Sequence, residues 1–109
     1  LQTTWKDASY NTENNFKKAF FIKGKANLSN YFNYGFTNKK EFFCVEVTPY
    51  DGSYSDRWYV YFKHEDDNEE FYNTLLNSNE KLIEVIAAIP ENTYDPNQGN
   101  MAIGLMASY

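Results

Sequence analysis

The chain has one thiol, Cys44, and one imidazole, His64, the two residue types that thiol-based covalent catalysis would combine. A cysteine acts as a nucleophile in its thiolate form, which a neighbouring base can generate. Both residues fall on neighbouring predicted strands, but no third group is in place to orient the base. The sequence therefore favours a protein that is not an enzyme, with Cys44 as a small strand residue. A single cysteine also excludes an intramolecular disulfide.

Carboxylates cluster in the stretch HEDDNEE, residues 64–70. Clustered carboxylates are Ca²⁺ ligands, but an EF-hand loop needs alternating ligands, a central glycine and a terminal glutamate, and this stretch lacks that spacing. We interpret it as the solvated start of a helix, where negative charge is favourable. The sequence also lacks the motifs of phosphate-binding loops, dinucleotide sites, nucleophile elbows and zinc sites. We therefore expect no metal and no cofactor.

A basic and aromatic stretch, KGKANLSNYFNYGFTNKK (residues 23–40), contrasts with an acidic chain of net charge −5. Residues 17–40 contain six lysines and no acid, whereas residues 41–109 contain three basic residues and thirteen acids. Lysines beside aromatic rings suit single-stranded nucleic acid, because rings stack on bases and ammonium groups offset phosphates. Solvated lysines on a strand are the alternative explanation. The acidic remainder of the chain argues against nucleic acid.

Five stretches have strand patterns, and together they indicate a mainly β chain. In the first, Phe20, Ile22, Gly24, Ala26 and Leu28 alternate with polar residues, and Gly24 suggests a bulge or bend. The next three follow the same period of two, Asp51-Gly52 predicts a turn between the second and third strands, and the last stretch is interpreted as a fifth strand. The four stretches are EFFCVEVTP, RWYVYFKHE, KLIEVIAAIP and MAIGLMASY.

One segment changes to a helical period. In DDNEEFYNTLLNSN, the spacing of Phe71 and Leu75 predicts about ten helical residues, with Asp67 or Asn68 as the N-terminal cap. Residues 1–15 show no period, and we interpret them as a polar N-terminal arm anchored by Trp5 and Tyr10. Residues 16–109 then form a single domain, which suits a chain of this length.

The resulting order, three strands, a helix and two strands with a glycine in the first strand, resembles the OB-fold, a five-stranded Greek-key barrel with one short helix between strands 3 and 4. The resemblance is at the level of fold and identifies no specific family. A β-sandwich or another α+β sheet is the alternative. OB-folds bind ligands across strands 2 and 3, between the loops that follow strands 1 and 4. The resemblance thus implies a groove lined by Lys23, Lys25, Tyr31, Tyr34, Phe36, Lys39, Lys40, Arg57, Tyr59, Tyr61 and Tyr94.

The predicted function is that of a non-enzymatic binding module, whose groove takes a protein or a single-stranded nucleic acid. Packing within the protein is the competing explanation for the aromatic residues, especially Tyr59 and Tyr61 as a cross-strand pair. Rings and arginine also suit protein interfaces, so a protein partner is the first expectation. The alternative is an exported or surface-located assembly or accessory subunit. No apolar run is long enough to span a membrane, and the sequence assigns no compartment.

Overall fold

The computed structural model describes residues 2–109 and shows a mainly β chain that forms a closed five-stranded barrel. This confirms the predicted barrel. The strands are β1 (Phe20–Ser29), β2 (Phe42–Pro49), β3 (Trp58–Lys63), β4 (Lys81–Ala88) and β5 (Asn100–Ser108). Around the barrel the order is β1-β2-β3-β5-β4, and β4 closes against β1.

One strand pair differs from the rest. The pairs β1–β2, β2–β3, β1–β4 and β4–β5 are antiparallel, whereas β3 and β5 run parallel over Trp58–Tyr61 and Asn100–Ile103. The β4–β5 ladder shifts register between Ile86 and Ala87, so one residue of β5 bulges out there. Two 3₁₀ turns, Tyr54–Asp56 and Glu91–Thr93, lie in the connections before β3 and before β5.

The main core is formed by the inward-facing residues that alternate with outward-facing ones along the strands. The residues predicted to face inward on β2, β3 and β4 are all buried, as are Phe20, Ile22 and Ala26 of β1, while Leu28 is half-buried. Inside the barrel the aromatic rings pack in contact: Phe20 lies 4.8 Å from Trp58 between ring centroids, and Phe43 lies 5.5 Å from Phe62. Rings of this size bury enough apolar surface to hold together a barrel this small.

The predicted helix is present as α2 (Asp66–Leu76), between β3 and β4, with Phe71 and Leu75 buried against the core. It begins earlier than the sequence indicated. Its N-cap is Glu65, whose side chain makes no capping bond, so the expected caps Asp67 and Asn68 lie inside the helix. Three acids occupy the first turn and face the positive end of the helix dipole, which stabilises this earlier start.

The N-terminal segment, which was predicted as a polar arm, contains regular structure. A helix, α1 (Trp5–Tyr10), is followed by a 3₁₀ turn at Thr12–Asn15. Trp5 and Ala8 occupy one face and join the main core, whereas the other expected anchor, Tyr10, is 77% exposed. The Thr4 hydroxyl accepts a hydrogen bond from the Asp7 backbone at 3.1 Å and caps the helix. A two-residue apolar face is too short to show periodicity in the sequence.

At Gly24, β1 lies very close to the backbone of β2. It pairs with Pro49 of β2 on one side and with Ile83 of β4 on the other. A Cβ atom on Gly24 would stand 1.9 Å from the carbonyl oxygen of Thr48, far inside contact distance. The position therefore requires glycine because of space, and the pairing continues in register on both sides, so no bulge occurs at the residue where one was suggested.

We predict that Gly24→Ala destabilises the protein by about 2 kcal/mol or more, because neither flanking strand can move without breaking its ladder. Urea unfolding followed by circular dichroism measures the effect. The control is Lys25→Ala on the next residue, an exposed side chain, with an expected cost of at most about 1 kcal/mol. Equal stability of the two variants would contradict the packing argument.

Candidate binding surface

The loop between β1 and β2, residues 30–41, covers the outer face of the barrel; we call it the covering loop. Its Tyr34 and Phe36 are buried in a second apolar cluster, separate from the main core. The remaining buried members come from β2, β3 and β5, namely Cys44, Tyr61 and Met101. Phe36 stacks on Tyr61 with the centroids 4.9 Å apart and the rings only 12° from parallel. The loop thus fills the face that the OB resemblance had assigned to a ligand.

A tight turn shapes the covering loop. Tyr34 has a φ of 60° and Gly35 a φ of 87°, so two successive residues are in the left-handed region. This conformation is unfavourable for a side chain as large as tyrosine. Two contacts hold Tyr34 in place: its backbone N–H donates to the Asn33 side chain at 2.9 Å, and its hydroxyl donates to the Gln98 carbonyl of the β4–β5 loop. The two loops expected to flank a groove are therefore joined directly.

Cys44 and Tyr61 were expected on the exposed outer face, and both point outward from the barrel but are buried beneath the covering loop. The Tyr61 hydroxyl donates to the Tyr31 carbonyl at 2.8 Å. Burial raises the pKa of the Cys44 thiol from 9.0 to about 12, and burial also raises the pKa values of Tyr34 and Tyr61. All three groups are neutral at physiological pH, so the face beneath the loop is an uncharged packing surface.

A row of side chains in contact with one another remains accessible at the edge of the covering loop. We call it the aromatic ridge, and it consists of Tyr31, Tyr59, Arg57 and Tyr54. Tyr31 and Tyr59 lie 4.6 Å apart between centroids. Arg57 donates from Nε to the Tyr59 hydroxyl at 3.2 Å, and its guanidinium carbon lies 4.3 Å from the Tyr54 ring centre. Tyr54 is 61% exposed and Tyr31 37%, so the two ends of the ridge reach solvent.

Two of the predicted lysines do not converge on this surface. Lys23 lies 3.8 Å from Glu84, and Lys25 lies 3.3 Å from Glu80. The antiparallel β1–β4 ladder places Lys23 directly opposite Glu84. Cross-strand pairs of opposite charge stabilise a sheet surface. The charge contrast between the two parts of the sequence is thus partly explained by pairing between strands.

The other predicted residues lie in different parts of the fold. Lys39 lies over the Phe32 ring at 5.1 Å, within the covering loop. Lys40 is exposed, and its backbone N–H donates to the Asn38 side chain. Tyr94 packs against Phe16 at 5.2 Å and belongs to the margin of the main core. The structure therefore brings together six predicted residues: Tyr31, Tyr34, Phe36, Arg57, Tyr59 and Tyr61.

Sequence reasoning omitted Tyr54 from the site, although it forms one end of the ridge. Tyr54 and Arg57 are three residues apart, and the 3₁₀ turn at Tyr54–Asp56 brings residues with this spacing to the same side. The Arg57 side chain also donates to the Tyr54 carbonyl at 3.1 Å. An arginine three residues after an exposed tyrosine in a turn is the signal that could have identified it.

Several concavities lie away from the ridge. An open groove of about 610 Å³ runs along the end of β4 and β5 beside Pro90 and Leu105. Another, of about 460 Å³, lies between α1 and Phe21 and includes Lys23. A third cavity, of about 330 Å³, is lined by both Cys44 and His64. None of these three concavities is lined by a ridge residue.

Among residues 2–109, no three or more His, Cys, Asp or Glu side chains form a group suited to hold a metal ion. Nor does any helix there have the length and apolar character needed to cross a lipid bilayer. Compared with protein-family models, curated proteins and solved structures, the chain matches none.

Phe36→Ala is expected to destabilise the protein by about 2–3 kcal/mol, because it removes a buried ring stacked on Tyr61. Urea unfolding measures the loss. The matched control is Tyr50→Ala, which truncates a 78% exposed ring and should cost at most about 0.5 kcal/mol. Faster alkylation of Cys44 in the Phe36 variant would show that the covering loop has loosened, whereas an unchanged stability would contradict its packed position.

Stability should fall as the pH rises above about 9. The folded chain retains the protons of Cys44, Tyr34 and Tyr61 at pH values where the unfolded chain has lost them, so unfolding becomes more favourable. We expect a loss of at least about 2 kcal/mol between pH 8 and pH 11, measured by urea unfolding. Cys44→Ala should flatten this dependence and Tyr50→Phe should not. A flat profile for the unchanged chain would refute the prediction.

Proposed function

We propose that this chain is an OB-like binding module without catalytic activity that recognises a protein partner through the aromatic ridge. The observation that carries the proposal is the contiguous row Tyr54, Arg57, Tyr59 and Tyr31, with tyrosines accessible at both ends. Tyrosine and arginine are enriched among the residues that contribute most of the binding energy at protein interfaces. Because these side chains already contact one another in the free protein, they lose little conformational freedom when a partner binds.

Three features support the OB-like part of the proposal. The barrel order β1-β2-β3-β5-β4 combines one parallel pair, β3–β5, with antiparallel pairs elsewhere. β1 is the longest strand and pairs with both β2 and β4. The helix α2 occupies the β3–β4 connection. In this class of barrel, ligands bind on the face formed by strands 2 and 3, which is where Tyr59 lies.

The charges beside the ridge favour a protein over single-stranded nucleic acid. Lys23 and Lys25 are paired with glutamates of the β4 region. Glu46 stands directly opposite Tyr59 in the β2–β3 ladder, where its carboxylate would repel a phosphate backbone. Affinity for nucleic acid depends on the number of phosphates that cations neutralise. Arg57 and the lysines at the end of the covering loop supply too few cations for a strong contribution.

The proposal that the chain is not an enzyme is supported by the state of Cys44. Its pKa near 12 leaves almost no thiolate at neutral pH, although Cys44 and His64 line the same cavity. His64 directs Nδ1 to Glu69 at 3.1 Å. A base that activated Cys44 would have to lower the pKa of this thiol, whereas burial keeps it high.

An exported or surface-located assembly or accessory subunit stays a second prediction. It is compatible with the same ridge, because an assembly subunit also needs an aromatic contact surface. The precursor sequence encoded upstream of Leu1 would separate it from an internal binding module, since export requires a targeting segment.

The ridge is tested with peptides selected for binding to the immobilised full chain from a random displayed library. We expect Tyr59→Ala and Arg57→Ala each to weaken binding of the selected peptides by about tenfold or more, because each removes a central residue of the ridge. Tyr50→Ala, an exposed tyrosine away from the ridge, is the matched control and should bind as the unchanged chain does. Fluorescence anisotropy with labelled peptide measures the affinities.

The same measurement with labelled single-stranded DNA and RNA, at low and moderate salt, decides between partner classes. We expect no salt-dependent binding of either oligonucleotide. Binding that weakens with salt and is lost in the Tyr59→Ala, Lys39→Ala double variant would replace the protein proposal by a nucleic-acid one. Selected peptides that bind all the ridge variants equally would refute the ridge as the contact surface.

A further inference from the structure

A cavity of about 330 Å³ lies under one side of the covering loop, where the end of β1, β2 and α2 meet. Its volume is at the lower end of the range typical of small-molecule sites. It is separate from the aromatic ridge, because none of the four ridge residues lines it. The cavity therefore presents a second surface with its own chemistry.

Aromatic side chains form much of the wall. Phe32, Phe42, Phe43 and Tyr72 all line the cavity, and each comes from a different part of the fold or a different face of its strand. Phe43 and Tyr72 already contact each other, with ring centroids 5.0 Å apart. Phe32, Phe42 and Tyr72 are only partly buried, so they retain ring surface for another molecule. Such walls suit a planar apolar group, which gains edge-to-face and offset contacts.

The polar groups of the cavity are cationic or neutral. Lys39 lines it with an exposed side chain, and among the described residues its ammonium group has no carboxylate within salt-bridge distance. His64 also lines it. A carboxylate can only accept a hydrogen bond, so the 3.1 Å contact with Glu69 places a proton on His64 Nδ1. The other ring nitrogen, Nε2, takes no part in this contact. The Cys44 thiol is protonated and adds no charge. The Glu69 carboxylate is engaged by His64.

We propose that this cavity binds a small organic anion that carries a single aromatic ring. The ring lies among Phe32, Phe42 and Tyr72, and the carboxylate or phosphate group contacts the Lys39 ammonium. The ammonium already stands 5.1 Å from the centre of the Phe32 ring, so one molecule can contact both. A hydrogen bond between charged partners in a partly enclosed site is stronger than one between neutral groups.

The experiment is a titration of the full ¹⁵N-labelled chain, followed by backbone amide shifts, with benzoate and phenyl phosphate as probes. Benzyl alcohol supplies the ring without the charge, and inorganic phosphate supplies the charge without the ring. We expect saturable shifts at Phe32, Cys44 and His64 with at least one aromatic anion, and binding about three- to tenfold weaker with either incomplete probe. Comparison of benzoate with phenyl phosphate identifies the preferred anionic group.

The adjacent lysines provide a matched pair of variants. Lys39→Met keeps most of the side-chain length but removes the charge, and it should weaken binding of the aromatic anion about three- to tenfold. Lys40→Met removes the neighbouring charge, which does not line the cavity, and should leave the affinity unchanged. Absence of saturable shifts, shifts confined to another groove, equal binding of benzyl alcohol, or equal effects of the two variants would each overturn the proposal. Tyr59→Ala, which tests the ridge, should leave this titration unchanged.

Discussion

Closure of the barrel depends on the close approach of β1 to the backbone of β2 at Gly24. At this residue β1 pairs with β2 on one side and β4 on the other. Only a residue without a side chain leaves room for the Thr48 carbonyl. Because a closed sheet has no edge, every strand then has two neighbours, and a single core can be filled by the inward residues of all five. The helices α1 and α2 add Trp5, Ala8, Phe71 and Leu75 to this core.

The covering loop changes what the outer face of the barrel can do. Tyr34 and Phe36 occupy it with the protein's own rings, and they leave Tyr61 and Cys44 neutral and buried. The accessible surface of this part of the barrel therefore lies on either side of the covering loop. One side presents the aromatic ridge around Arg57, and the other a cavity beside Lys39. A row of exposed rings and a small cavity suit different kinds of partner, so the two proposed recognition sites differ in the molecules that they suit.

Much of the barrel could be predicted from the sequence, since alternation in β1 to β4 identifies strands whose inward residues share one core, whereas β5 does not alternate. The helix α2 was visible because Phe71 and Leu75 have helical spacing, whereas α1 buries only Trp5 and Ala8 and gives no period. The candidate site was only partly predictable. Burial of Tyr61 follows from where a loop packs, and the pairing of Lys23 with Glu84 follows from barrel order. Both depend on contacts between distant segments, which local patterns do not encode.

The parallel β3–β5 pair has a consequence for how the chain reaches its folded state. The other ladders include a β2–β3 hairpin that can form between neighbouring segments, but this one joins strands that begin at Trp58 and Asn100 and spans only four residue pairs. Bringing these two strands together costs loop-closure entropy, and only a few hydrogen bonds offset that cost. The β1–β4 ladder joins segments that lie still farther apart in the chain, but seven residue pairs offset the cost of its closure. We therefore expect the β3–β5 ladder to form late in folding, when β3 and β5 are already held by their antiparallel neighbours β2 and β4.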